Sequence, residues 1–151
     1  MSKDNPVKLY MHHVGIFTSN IKRSIAWYEE MLGFKKVFQN DFPLPDGGMS
    51  RLAWVKGPDC YIELYDYPKK SAPSPEAYWG TLGTKHLCLY TKDDEFEKLR
   101  DYLKSKKVTF TVEHHWDEKY NRKPGGSRVI FILDPDGTPI EIQDTFTPEK
   151  Y

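Results

Sequence analysis

The stretch from Met11 to Phe34, MHHVGIFTSNIKRSIAWYEEMLGF, has a plan that returns from Lys85 to Val108, KHLCLYTKDDEFEKLRDYLKSKKV. In each, a strand carrying a histidine runs into an amphipathic helix. Each is followed well downstream by a short strand with a glutamate between aliphatic residues, Ile62-Glu63-Leu64 and Ile140-Glu141-Ile142. A repeat of this size constrains the fold strongly, because each copy must form the same supersecondary unit and place equivalent residues in equivalent positions.

Read in order, residues 1 to 7 form a polar arm, and a strand covers about Lys8 to Thr18. Asn20 caps a helix whose stripe is Ile21, Ile25, Tyr28 and Leu32, at helical spacing. Gly33 sits where a left-handed C-terminal cap belongs. A strand from Phe34 to Gln39 leads into a loop, Asn40 to Gly48, with two prolines and two glycines. Strands Met49 to Lys56 and Cys60 to Tyr67 flank the turn Gly57-Pro58-Asp59. Residues 68 to 83, with Pro68, Pro73, Pro75, Gly80 and Gly83, are the connector.

The second half repeats the order. A strand from Thr84 to Thr91 precedes a helix from about Asp94, with Asp94 and Glu97 at capping-box spacing and a stripe of Phe96, Leu99 and Leu103. A strand from Val108 to Trp116, a loop from Asp117 to Gly126, and strands Ser127 to Leu133 and Thr138 to Asp144 around the turn Asp134-Pro135-Asp136-Gly137 complete it. Residues 145 to 151 are a tail. Each half reads strand, helix, three strands, which makes the class α+β, one domain of two repeated βαβββ modules at about 8–67 and 84–144.

Side chains alternate between the faces of a strand. Val14 and Ile16 share one face, and His13, Gly15 and Phe17 the other. Leu87 and Leu89 oppose His86, Cys88 and Tyr90. Glu63 and Glu141 each lie on the face opposite their aliphatic neighbours, with Tyr61 and Tyr65 on Glu63's side and Gln143 beside Glu141. A single His or Glu on a strand is ordinarily a solvated or hydrogen-bonded residue. Four of them in matching register of two copies form a set. Two neutral imidazoles and two carboxylates balance the charge of a divalent ion and suit zinc or nickel first, and also iron, manganese or cobalt. His13, Glu63, His86 and Glu141 are therefore the candidate metal ligands. His12 falls on the Val14 side and reads as a strand-end residue.

The 22 basic residues equal the 22 acidic ones, so no charge surplus points to nucleic acid or an anionic membrane. Cys60 and Cys88 give neither a disulfide framework nor a CxxC metal spacing and are expected as free thiols. The polar start MSKDNPVK is not a signal peptide, no run approaches membrane-spanning length, and the expected location is the cytoplasm.

These residues resemble the vicinal oxygen chelate superfamily, which includes glyoxalase I, methylmalonyl-CoA epimerase, type I extradiol dioxygenases, and the fosfomycin and bleomycin resistance proteins. HVGIFTSNIKRSIAWYEEMLGF is similar to its opening strand and helix, YIELYDY to its mid-chain glutamate strand, KHLCLYT to its second histidine strand and DPDGTPIEI to its closing hairpin. The resemblance implies an open, barrel-like cup of mixed sheet with helices outside and a metal within. Matched position by position, the glyoxalase I ligands fall on His13, Glu63, His86 and Glu141. The epimerase usually has glutamine where Glu63 stands, and the ring-cleaving dioxygenases place no ligand there, so the pattern is nearest to glyoxalase I.

That resemblance implies a metal-dependent lyase or isomerase acting on a small carbonyl or hemithioacetal through a metal-stabilised enediolate. Glu141 is the expected base and Glu63 the alternative. An epimerase, an iron-dependent dioxygenase and a non-catalytic drug-binding resistance protein are the competing readings. Alternation along the strand from Val108 puts Val108, Phe110 and Val112 inward under a helix and Thr109, Thr111, Glu113 and His115 into the cup. His115, Glu113, Arg128 and Trp54 are the expected pocket residues, with Arg51 a second candidate for an anionic group and Trp79, Trp116 and Tyr120 as further aromatic candidates. The partner is a small molecule. Open sheet edges and the prevalence of two-fold oligomers predict a homodimer.

Overall fold

A computed structural model describes residues 10–66, 82–118 and 125–144. The chain divides into two compact units, residues 1–68 and 69–151. The first contains β1 (His13–Phe17), α1 (Ile21–Leu32), β2 (Lys35–Pro43), β3 (Met49–Lys56) and β4 (Tyr61–Asp66), and the second β5 (Leu87–Thr91), α2 (Asp93–Ser105), β6 (Phe110–Trp116), β7 (Ser127–Leu133) and β8 (Pro139–Asp144). The sheets are four-stranded and open, in the orders β1-β4-β3-β2 and β5-β8-β7-β6. In each, the first strand pairs parallel with the last and the other pairs are antiparallel. The class is α+β, each unit carrying the strand, helix, three-strand order read from the sequence.

α1 starts where a polar cap meets an apolar stripe. Asn20 is extended and its side chain accepts from the backbone N–H of Arg23 at 3.1 Å, filling one of the orphan donors of the first turn. Ile21, Ser24, Ile25, Tyr28 and Met31 are the buried face. Met31 replaces the expected Leu32, which is only half-buried, because three residues on from Tyr28 keeps the stripe on one side. Gly33 ends the helix at φ 70°, a left-handed value that costs glycine little. Beneath the helix Ile16, Ala53, Val55, Ile62 and Leu64 are buried. Ala53, Val55, Ile62 and Leu64 are fully out of water, and truncating Ile62 to alanine would cost about 2–5 kcal/mol.

The second unit buries Phe96, Leu103, Val129, Ile130, Ile132, Ile140 and Ile142; Leu99 is half-buried. The capping box does not form. The helix starts earlier, at Asp93, its N-cap is Lys92 with no side-chain cap bond, and Glu97 is drawn instead into ion pairs with Arg100 and Arg128.

Two expectations fail at the second strand of the modules. The segment from Asn40 was expected as loop, but β2 continues to Pro43, paired with Met49; β2 is an edge strand, where proline's missing N–H interrupts no inner ladder. The other is a break in register between Phe110 and Val112, so that Phe110 opposes Ile132 and Val112 opposes Phe131. The same break stands between Lys36 and Phe38 in the first unit. A bulge of this kind reverses which residues beyond it face which way. Val112 is 44 % exposed, not packed inward. The arm at residues 1–7, the connector at 68–81 and the tail at 145–151 expected from the sequence lie outside the described residues.

Candidate metal centre

In the first unit, cross-strand register collects one face. His13 lies beside Tyr61, Gly15 beside Glu63 and Phe17 beside Tyr65, while Trp54 lies across from Glu63 on the other flank. His13 Nε2 stands 3.2 Å from Glu63 Oε2. Trp54 Nε1–H donates to Glu63 Oε1 at 2.9 Å, and the Tyr65 hydroxyl donates to Oε2. Glu63 is 8 % exposed, so its charge is held by these three groups rather than by water. Burial, then the bond to Glu63, push the Tyr65 phenol up to about 12, keeping its donor proton in place. Gly15 makes room: a Cβ there would lie 3.3 Å from the Tyr65 ring.

His12 belongs to this cluster. Its Nδ1 is 2.9 Å from His13 Nδ1, and its ring stacks on Tyr61 at 5.2 Å and 19° and meets Trp54 at 5.3 Å. The sequence placed it on the opposite face, but β1 begins at His13, so His12 precedes the strand and is not bound by its alternation.

In the second unit, His86 stands just before β5 and its Nε2 lies 2.8 Å from Glu141 Oε2. Cys88 and Phe131 flank Glu141 on the neighbouring strands, and the Phe131 ring meets the His86 ring edge-on at 5.1 Å. Each module thus brings together its own histidine and glutamate. Among the described residues no three His, Cys, Asp or Glu side chains stand together as a metal group. Each module alone supplies two donors, an imidazole and a carboxylate, both of kinds that divalent ions take.

Of the expected pocket residues, Trp54 lies on the face of His13 and Glu63. Glu113, His115 and Arg128 do not lie on the face of Glu141. The bulge turns Glu113 to oppose Ile130 and His115 to oppose Arg128, on the α2 side of the sheet. There Glu113 accepts from Lys104 Nζ at 3.0 Å. Arg128 donates to Asp144 at 2.9 Å and to Glu97 at 2.9 Å, and the bond to Asp144 raises its guanidinium further above its ordinary value. His115 Nε2 lies 2.9 Å from the Gly125 carbonyl. With Phe96, Glu97 and Arg100 these residues line a hollow of about 370 Å³. Arg51 is bonded to Asp41 at 2.8 Å. Trp116 is 48 % exposed beside His114. Trp79 and Tyr120 lie outside the described residues.

The sequence reading missed the hydrogen bonds of Trp54 and Tyr65 to Glu63. Alternation had already put Tyr65 on the glutamate's side; only the β3–β4 register adds Trp54.

Among the described residues, no helix is long and apolar enough to cross a membrane. Among known proteins, YwbC of Bacillus subtilis (strain 168), an uncharacterized protein, is 31% identical over 132 residues, covering 85% of this chain and 92% of its own. Two solved structures share the fold. A lactoylglutathione lyase from Agrobacterium tumefaciens is 21% identical, with a TM-score of 0.59 over 93% of this chain and 96% of that one. A fosfomycin resistance protein, FosX, from Listeria monocytogenes, solved with Mn(II) and a sulfate ion, is 10% identical, with a TM-score of 0.65 over 95% of this chain and 98% of that one. The model of the Glyoxalase/Bleomycin resistance protein/Dioxygenase superfamily matches residues 10–142, and the chain belongs to that superfamily.

Proposed function

We propose that the protein is a divalent-metal-dependent lyase or isomerase of glyoxalase I type, acting on a small carbonyl or hemithioacetal. The observation that carries this is the matched pairing of His13 with Glu63 and of His86 with Glu141 in the two modules. His13, His86, Glu63 and Glu141 hold one ion per chain, zinc or nickel first. When bound, the ion supplies Lewis acidity toward adjacent oxygens of the substrate. The protein's part is proton movement and positioning. Glu141, the more exposed of the two carboxylates, takes the carbon-bound proton on a carboxylate oxygen and returns it to the neighbouring carbon. Glu63, whose oxygens are occupied by Trp54 and Tyr65, stays in place. The names of the lyase and of FosX with its Mn(II) are in keeping with this reading.

Each sheet leaves two edges, and β2 is exposed along nearly its whole length. Edges of this kind are usually paired or covered, so the reading includes a homodimer. It also includes a reducing, cytoplasmic setting, in keeping with free Cys60 and Cys88. Metal analysis of protein purified without added metal tests the centre: about one zinc or nickel per chain is expected, and His86→Ala should lose it. Retention of the ion by that variant would remove the assignment, and stoichiometric iron would move the reading to oxygen chemistry. Light scattering that gives the mass of a single chain at micromolar concentration would remove the dimer.

A further inference from the structure

The two modules repeat one plan but treat their glutamates differently. Across from Glu63 stands Trp54, and its indole N–H donates to Oε1 at 2.9 Å. Across from Glu141, in the same place, stands Phe131, which has no donor. Two residues beyond Glu63, on the same strand and face, the Tyr65 hydroxyl donates to Oε2; two beyond Glu141 is Gln143. The Glu63 side chain is 11 % exposed and that of Glu141 18 %.

We propose that Trp54 and Tyr65 are positioning residues that clamp Glu63 as the fixed carboxylate of the metal centre, an arrangement the second module does not repeat. The inference rests on the metal centre proposed above. A carboxylate has two oxygens with two lone-pair sites each. The indole occupies Oε1 and the phenol one site of Oε2, and His13 Nε2 at 3.2 Å marks the side of Oε2 that remains. Both donors are themselves fixed. Trp54 packs against His13 at 5.0 Å and Tyr61 at 5.7 Å, and Tyr65 against Phe17 at 5.5 Å and Phe42 at 6.2 Å. A ligand whose angle is set before the ion arrives loses less freedom on binding, which is how partners behind a ligand raise metal affinity. Glu141 faces a phenylalanine where Glu63 faces Trp54, and its hydrogen-bonding neighbour is instead the Cys88 thiol on β5.

The test compares the full-length parent with Trp54→Phe, Tyr65→Phe and Gln143→Leu, titrated with Mn(II), with the unfolding midpoint of each recorded. The two clamp variants should each bind Mn(II) about 10- to 100-fold more weakly, with a changed visible spectrum of the Co(II) form and a midpoint near the parent's. Gln143→Leu should stay within about twofold. Clamp variants that bind within about twofold of the parent overturn the proposal while leaving the metal centre standing, as does an equal loss in Gln143→Leu. A parent that binds no Mn(II), or a His86→Ala variant that binds it fully, overturns the centre and the clamp together. A metal-free readout guards against unstable variants. Glu63→Gln should shift the Trp54 indole N–H resonance, and an unmoved resonance overturns the clamp.

Discussion

His12 Nδ1 lies 2.9 Å from His13 Nδ1, so one ring presents an N–H there and the other a lone pair. For His13 to offer the Nε2 lone pair to a metal, its proton must sit on Nδ1 and be accepted by His12. With an ion bound, His12 would then set the tautomer of its neighbour. In His12→Phe the stacking on Tyr61 can persist while the acceptor nitrogen is lost. Metal affinity should fall about tenfold or more, read by equilibrium dialysis against zinc. Affinity equal to the parent's would mean that His12 only packs.

Replacing Glu141 with glutamine keeps size and an oxygen donor but removes the base. We expect the variant to retain most of its metal and to lose turnover by about 100-fold or more, within the range that a general base contributes. Absorbance assays on a hemithioacetal substrate, with metal content measured on the same samples, check this. Full activity would shift the base to Glu63 and contradict the clamped role given to that residue.

The fold and the meeting of each histidine with its own glutamate were legible because both rest on patterns that survive translation into structure. Alternation in Ile62-Glu63-Leu64 and Ile140-Glu141-Ile142 gave the buried and functional faces, and Ile62, Leu64, Ile140 and Ile142 are 0–2 % exposed. Asn20 and Gly33 cap α1 as read. What the sequence hid is register. Counting alternate residues from Val108 assumes an unbroken strand, and the bulge between Phe110 and Val112 reverses the faces of Glu113 and His115. Nothing in TFTVEHH marks it. The capping box at Asp94 failed for another reason: a partner distant in sequence, Arg128, competes for Glu97.

The relocation of Arg128 has its own consequence. Asp144 is 1 % exposed and takes hydrogen bonds from Ser127 Oγ and Arg128 Nε. Arg128→Met keeps bulk near Phe96 and removes the charged partner of a buried carboxylate. Stability to urea should fall by about 2 kcal/mol, with metal affinity unchanged. A variant as stable as the parent but with a raised substrate KM would return Arg128 to the substrate pocket.

Cys60 lies three residues before Glu63, in the turn that leads into β4. Partial burial first, and then the Asp59 carboxylate, hold its thiol above the ordinary value. Both causes disfavour the thiolate, which is the form that reacts. Near neutral pH the alkylation of Cys60 by iodoacetamide should therefore be several-fold slower than that of an unfolded-peptide thiol with a pKa of about 8.5, and it should accelerate as the pH rises above that value. The linkage has a definite sign. The folded chain holds this proton more tightly than the unfolded chain, so the contribution to stability is fully present below the unfolded value and is lost as pH rises through the folded one. Asp59→Asn should speed alkylation only in part, since burial is the larger cause. Peptide mass spectrometry of alkylation at stepped pH, on parent and Asp59→Asn, measures this. A Cys60 rate equal to that of the free peptide would show that neither burial nor Asp59 restrains the thiol.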